Sequence, residues 1–379
     1  MNFISVDDHV VEAPDLWTRR LSFQRWGARI PHLESASDGS QEWIVDGVRV
    51  PLLGNGSVGA LMRDPLASPR TWAEVPRAAY DPALRLRALD DDGVDYSVLY
   101  PAVAGVAGET FARVIKDPEL ELACVQAYND WLIEEWAGLN SRFIAQCLVP
   151  LTPVAAAVGE LRRAVGRGHR GLIFPAVPSM VRESAPHIND PCYDPIWRAC
   201  EELAVPVCFH AGCAPQLQLP HYPGYSSRLN VAFEALTRPV SCVLPLTNLL
   251  LSQILERFPA LKVVFGESAL GWLGFDLETT EWFFATYALA DQIAYKLGPI
   301  QAFRRQCFAV AWYDGNLGVL ERACEFPGVE NLLWSTNFPL AISSWPNSRE
   351  QRAAVAAKLP PDQRDRIFWS NAAALYHLG

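Results

Sequence analysis

Eight short runs of β-branched and aromatic residues, spaced by helical patterns, restrict this 379-residue chain to very few architectures. They are Phe3–Val6, Tyr96–Tyr100, Phe143–Val149, Gly171–Phe174, Val205–Phe209, Leu261–Phe265, Phe308–Val310 and Asn331–Ser335. Each is too short for a stable helix, so each reads as a buried strand. Helical patterns separate nearly all of them, among them 111–136, 154–166 and 192–203, the last following Asp190-Pro191. Such alternation pairs strands in parallel with helices as crossovers. The expected fold class is α/β, a (β/α)8 TIM-type barrel over residues 1–379 as a single domain. One connection breaks the pattern. Residues 18–82 are irregular apart from a hairpin signal in Trp43–Val50, and are expected to be an insertion after the first strand that covers the barrel mouth. The last helix, Arg364 to Leu378, is expected against the barrel's outside.

Composition excludes several partners. Half the residues are hydrophobic and the formal net charge is −10, which argues against nucleic acid or an anionic membrane and leaves a small-molecule substrate. The longest apolar stretch, Val240 to Leu255, is interrupted by Pro245, Asn248 and Gln253, so no transmembrane helix is expected. No signal-peptide pattern precedes the first strand. Nine scattered cysteines without a Cys-x-x-Cys pair point to a reduced, cytoplasmic protein.

Chemistry concentrates where strands end. The first run leads into Asp7-Asp8-His9, and strand parity places Asp7 and His9 on one face. The fifth run ends at His210 and the sixth, through Gly266, at Glu267. A carboxylate and imidazoles capping several buried strands suggest one convergent site for a divalent cation. Individually these residues have plainer readings: His210 as a partly buried histidine, Glu267 as a helix N-terminal carboxylate. Cys208 is expected on the opposite strand face from His210, in the core. Of thirteen tryptophans, Trp17, Trp43, Trp272, Trp312 and Trp345 fall near the expected mouth, and His221 can reach it from the loop after the fifth strand. Trp17, Trp272, Trp312, Trp345 and His221 are therefore the expected substrate contacts, for a bulky apolar or aromatic substrate.

The chain resembles the amidohydrolase superfamily, and within it the amidohydrolase-2 group of metal-dependent hydrolases and nonoxidative decarboxylases. The resemblance runs almost end to end, through Asp7–Pro14, Leu89–Asp95, Tyr128–Trp131, Phe209–Gly212, Gly266–Trp272 and Asn371–Tyr376. It implies Asp7, His9, His210, Glu267 and Asn337 as metal ligands. It also implies one or two divalent ions, and barrels of this type often pair as homodimers. The chain departs from the group at Thr336-Asn337-Phe338-Pro339-Leu340, where the group's usual aspartate and histidine are replaced. Asn337 can coordinate through oxygen but cannot take up a proton. The oxygen-rich set favours iron or manganese, with zinc possible.

The favoured expectation is a metal-dependent hydrolase in which metal-activated water attacks a carboxylic-acid derivative. Such a derivative is an ester, a thioester such as an acyl-CoA, or an amide. Glu267 is the first candidate base, with Asp7 or Glu12 next, and His210 completes the catalytic set. Arg304 and Arg305 are compatible with phosphate. The first alternative is nonoxidative decarboxylation of an aromatic acid; the second is a metal-stabilised binding protein without catalysis. A serine hydrolase around Ser268 lacks the second glycine of a nucleophile elbow, because Leu270 stands there. Gly54-Asn55-Gly56-Ser57-Val58-Gly59 spells a dinucleotide motif without a following helix, and is expected to be a flexible loop.

Overall fold

The computed structural model describes residues 2–211, 223–287, 295–312 and 318–378. Eleven strands occur among them: β1 Ile4–His9, β2 His32–Ser35, β3 Gln41–Val45, β4 Val48–Pro51, β5 Tyr96–Tyr100, β6 Phe143–Ala145, β7 Leu172–Ile173, β8 Val207–His210, β9 Val263–Gly266, β10 Cys307–Ala311 and β11 Leu332–Trp334. Parallel ladders run β1-β5-β6 and β7-β8-β9-β10-β11. A single parallel bridge, Cys147 to Leu172, joins the two arcs on one side. On the other, Asn337 N–H donates to the Asp7 carbonyl (3.1 Å) and His9 N–H to the Phe338 carbonyl (2.7 Å). Eight parallel strands thus succeed one another in chain order with helices between them, the (β/α)8 class.

Local chemistry sets the helix boundaries. Asp81 and Asp117 each cap a helix that opens with proline, and each side chain accepts two backbone N–H groups. Pro118 also divides the expected 111–136 helix into Glu109–Val114 and Pro118–Trp131. The C-terminal segment is likewise broken, into Pro361–Asp365 and Asn371–Leu375 around a wider turn.

The segment after β1 carries an antiparallel sheet ordered β2-β3-β4. Its β3–β4 turn is Asp46-Gly47, both at positive φ (50° and 78°), as a type I′ hairpin requires. Trp43 fastens this sheet to the helix that follows β1, meeting Trp17 edge-on at 5.4 Å, and packs on Trp72 of its own segment at 6.4 Å. The Gly54–Gly59 loop is pinned rather than flexible. Ala341 N–H donates to the Gly56 carbonyl (2.7 Å) and Ala60 N–H to Pro339 (3.0 Å). A Cβ on Gly59 would lie 2.3 Å from the Pro65 carbonyl oxygen, so only glycine fits there. Among the described residues no helix is long and apolar enough to cross a membrane.

Candidate active site

Asp7 and His9 lie in the C-terminal half of strand β1, His210 ends β8, Glu267 follows β9 and Asn337 follows β11. Parity along β1 aims both of its side chains into the barrel, where β8 delivers His210. The Asp7, His9 and His210 donor atoms all lie within 4.8 Å of one another. Asp7 Oδ1 is 3.4 Å from His9 Nε2 and 3.3 Å from His210 Nε2. All three residues are buried, yet both Asp7 oxygens and both Nε2 atoms lack hydrogen-bond partners among the described residues. Orphaned buried donors of this kind are costly unless something else satisfies them, and a divalent cation fits the set. His210 Nδ1–H donates to the Ala211 carbonyl at 2.6 Å, which leaves Nε2 as the coordinating nitrogen.

Charge is balanced tightly here. Burial alone would raise the Asp7 carboxyl, but His210 and then His9 outweigh it and hold Asp7 well below the usual carboxylate range. Burial alone would lower the His210 imidazole, but Asp7 and then Glu267 push it up to about 9. Glu267 is buried, its oxygens 3.7 Å from His210 Nε2 and 3.5 Å from Arg238. Asn337 is buried too; its Oδ1 accepts a 2.5 Å bond from Ser335 Oγ, and its Nδ2 has no partner among the described residues. Glu267 and Asn337 both hold left-handed backbone, with φ of 48° and 52°, the local strain that functional loops tend to carry.

Supporting carboxylates surround the cluster. Asp8, between Asp7 and His9, accepts Ser5 Oγ (2.8 Å), Ser97 Oγ (2.6 Å), Thr336 Oγ1 (2.6 Å) and Phe338 N–H (3.0 Å). It therefore ties β1 to β5 and to the loop after β11. Glu12, expected as a reserve base, is consumed structurally by three backbone N–H groups from Ala102, Val103 and Ala104. Tyr100 forms the floor, its ring 5.0 Å from His210 and 5.9 Å from His9. Burial pushes its phenol up, so it stays neutral.

A cavity of about 420 Å³ opens over His9, His210 and Glu267. Residues 50–57 of the inserted segment and 340–342 after β11 form part of its wall. Glu109, Arg113, Glu234 and Arg238 bring charge to it. None of the four expected tryptophans lines it. Trp17 is buried against Trp43 and Phe111 with its Nε1–H on the Cys124 carbonyl. Trp272 donates to the Ser268 carbonyl at 2.6 Å, Trp345 packs on Phe338 at 5.4 Å, and Trp312 is buried beside β10. Each ring serves as packing between elements, a use that composition cannot separate from ligand contact. His221 lies outside the described residues.

Other expectations also change. Cys208 shares the interior face of β8 with His210, because residues two apart in a strand point the same way; its thiol donates to Gln146 Oε1 at 2.6 Å. Ser268 Oγ accepts Val310 N–H (3.0 Å) and is buried, which leaves no free nucleophile. Arg304 and Arg305 donate to the Pro327 and Leu255 carbonyls and do not reach the cavity. Glu109, Arg113 and Arg238 were missed because they sit on helices beyond the strand ends. The one signal was the glycine-flanked loop Gly105–Gly108 running into Glu109.

A family profile described as amidohydrolase matches residues 41–378. The chain belongs to the amidohydrolase-2 family. The match begins after Asp7 and His9, whose membership of the site rests on geometry. The 2-amino-3-carboxymuconate-6-semialdehyde decarboxylase of Dictyostelium discoideum is 24% identical over 202 residues, 51% of this chain; the chain spans about half (49%) of that relative. The gamma-resorcylate decarboxylase of Rhizobium radiobacter is 24% identical over 308 residues, 78% of this chain and 90% of the relative. Among solved structures, the dihydroxybenzoic acid decarboxylase of Polaromonas sp. JS666, with bound manganese and the inhibitor 2-nitroresorcinol, superposes with a TM-score of 0.67 at 18% identity. That alignment covers 100% of this chain and 98% of the other.

Proposed function

We propose that this amidohydrolase-2 enzyme is a metal-dependent nonoxidative decarboxylase of an aromatic acid, rather than the hydrolase its motifs first suggested. The observation that carries the reading is the set of orphaned Asp7, His9 and His210 donors at the base of a cavity whose walls hold Arg113 and Arg238. Its support from relatives is that the two decarboxylases matched in sequence act on carboxylated substrates, as their names state.

Asp7, His9 and His210 would hold one divalent cation, with Glu267 and the Asn337 oxygen as further donors. Manganese is the first choice, as in the Polaromonas protein, and iron or zinc also suits mixed oxygen and nitrogen donors. When bound, such a cation would supply a Lewis acid that anchors and orients the substrate's oxygens. The chain's own groups do the rest. Arg113 and Arg238 attract the anionic acid into the cavity. Leu52, Leu53, Val103 and Leu340 line it with apolar surface, which excludes water and favours loss of a charged carboxylate as neutral carbon dioxide.

The test is turnover of a panel of hydroxybenzoates, led by 2,6-dihydroxybenzoate, by manganese-loaded protein, with carbon dioxide and the phenol both quantified. Release of both in equal amounts, abolished by His210→Ala, is expected. Hydrolysis of esters or thioesters with no decarboxylation of any acid would return the metal-dependent hydrolase, with Glu267 as base. Metal binding without turnover of either class would favour a binding protein.

A further inference from the structure

Decarboxylation of an aromatic ring needs an acid as well as a metal, because the carbon that loses its carboxylate must gain a proton. Asn337 cannot hold one to give. The groups lining the cavity that can are His9, His210, Glu109, Glu234 and Glu267. His9 and His210 present Nε2 to the metal position. Glu267 is engaged by Arg238 at 3.5 Å and His210 at 3.7 Å and stands among the donors that would hold the metal. Glu234 pairs with Arg238 at 3.4 Å and is 32% exposed at the rim.

Glu109 differs. Its oxygens accept N–H groups from Val106 (3.2 Å) and Ala107 (2.8 Å), and no cation lies within ion-pair distance among the described residues. Each oxygen keeps a second lone pair, so the carboxyl can gain or lose a proton without giving up either bond. Room for it is made by Gly105: a Cβ there would lie 2.4 Å from the Glu109 carboxyl carbon, and the backbone holds φ at 85°. The surroundings also favour the neutral acid, since burial pushes the Glu109 carboxyl up.

We infer that Glu109 is the catalytic proton donor of this site, an assignment that rests on the decarboxylase reading. The Glu109 carboxyl gives its proton to the ring carbon bearing the substrate carboxylate, and a ring π pair forms the new C–H bond. The C–C bond then breaks, its electron pair returns to the ring, and carbon dioxide leaves. The Glu109 carboxylate recovers a proton from water. In the absence of carbon dioxide, the same proton transfer to that carbon of the product phenol, followed by return of its original hydrogen to the Glu109 carboxylate as a proton, exchanges the ring hydrogen with solvent.

The experiment uses manganese-loaded protein in two assays. One is carbon dioxide release from 2,6-dihydroxybenzoate; the other is deuterium uptake at C2 of resorcinol in D2O, followed by proton NMR. Glu109→Gln should lower both rates about 10²–10⁴-fold, with manganese content and KM close to wild type. Retention of both rates within threefold would overturn Glu109 as donor while leaving the decarboxylase standing. Wild-type protein that shows neither reaction with any acid of the hydroxybenzoate panel or its phenol overturns both. Should Glu109→Gln fail to fold, Glu109→Asp decides. A tenfold or greater loss of exchange with manganese binding intact supports the assignment, and unchanged exchange removes it.

Discussion

Gly266 is where backbone packing and metal binding meet most sharply. A Cβ at this position would sit 2.9 Å from Asp7 Oδ2, 3.1 Å from His210 Cδ2 and 3.3 Å from the Tyr100 hydroxyl. Ordinary contact starts near 3.4 Å, so in Gly266→Ala the Asp7 carboxylate must retreat by about half an ångström. Metal sites tolerate roughly 0.2 Å in ligand distance, so the shift is large on the scale that matters. Manganese affinity should fall about 10–100-fold, equivalent to about 1.4–2.7 kcal/mol. Overpacking should separately cost the metal-free protein about 1–3 kcal/mol. Isothermal titration with manganese and urea unfolding with and without metal separate the two effects. Wild-type manganese affinity in a folded Gly266→Ala protein would refute the claim that Asp7 and His210 share one ion.

Other expected outcomes bear on the same site. Asn337→Asp replaces a buried Nδ2, unpartnered among the described residues, with oxygen on a residue whose backbone N–H bonds the Asp7 carbonyl; it should weaken the metal-free fold and tighten manganese binding, and titration showing no change removes residue 337 from the site. With His210 raised from 6.5 to about 9, manganese must displace its proton, so apparent affinity at pH 7 should be about 50-fold weaker than at pH 9. The metal-free protein should move the opposite way. The stability His210 contributes is full below pH 6.5 and is lost as pH rises through about 9, which a thermal-unfolding series checks. Ser268→Ala should keep activity, losing only its link to Val310, whereas a dead variant would revive nucleophilic catalysis. Asp8→Asn turns one of four acceptor contacts into a donor clash and should cost about 2–3 kcal/mol in urea unfolding.

The parts that were legible are those governed by short-range periodicity. Two-residue parity along β1 suffices to put Asp7 and His9 on one side of a strand, and the same rule, applied correctly, puts Cys208 with His210. Asp46-Gly47 writes its own turn, whereas the Asp-Pro pair at 117–118 starts a helix inside the stretch whose periodicity suggested one helix over 111–136. The tryptophans illustrate the limit. Trp17 and Trp43 carry the composition of a ligand pocket, yet their partners are each other, across an insertion whose docking no local pattern encodes.

Sequence by itself determined the strand–helix alternation, the strand-end donors and the amidohydrolase-2 resemblance, because backbone hydrogen bonding and side-chain periodicity act over a few residues. Tertiary structure alone decided that Asp7, His9 and His210 converge within 4.8 Å, that Glu12 and Ser268 are spent on backbone contacts, and that Glu109, Arg113 and Arg238 face the same cavity. Those residues approach through loops and helices whose positions depend on packing between segments far apart in the chain. A side chain's chemistry depends on which partners that packing leaves it.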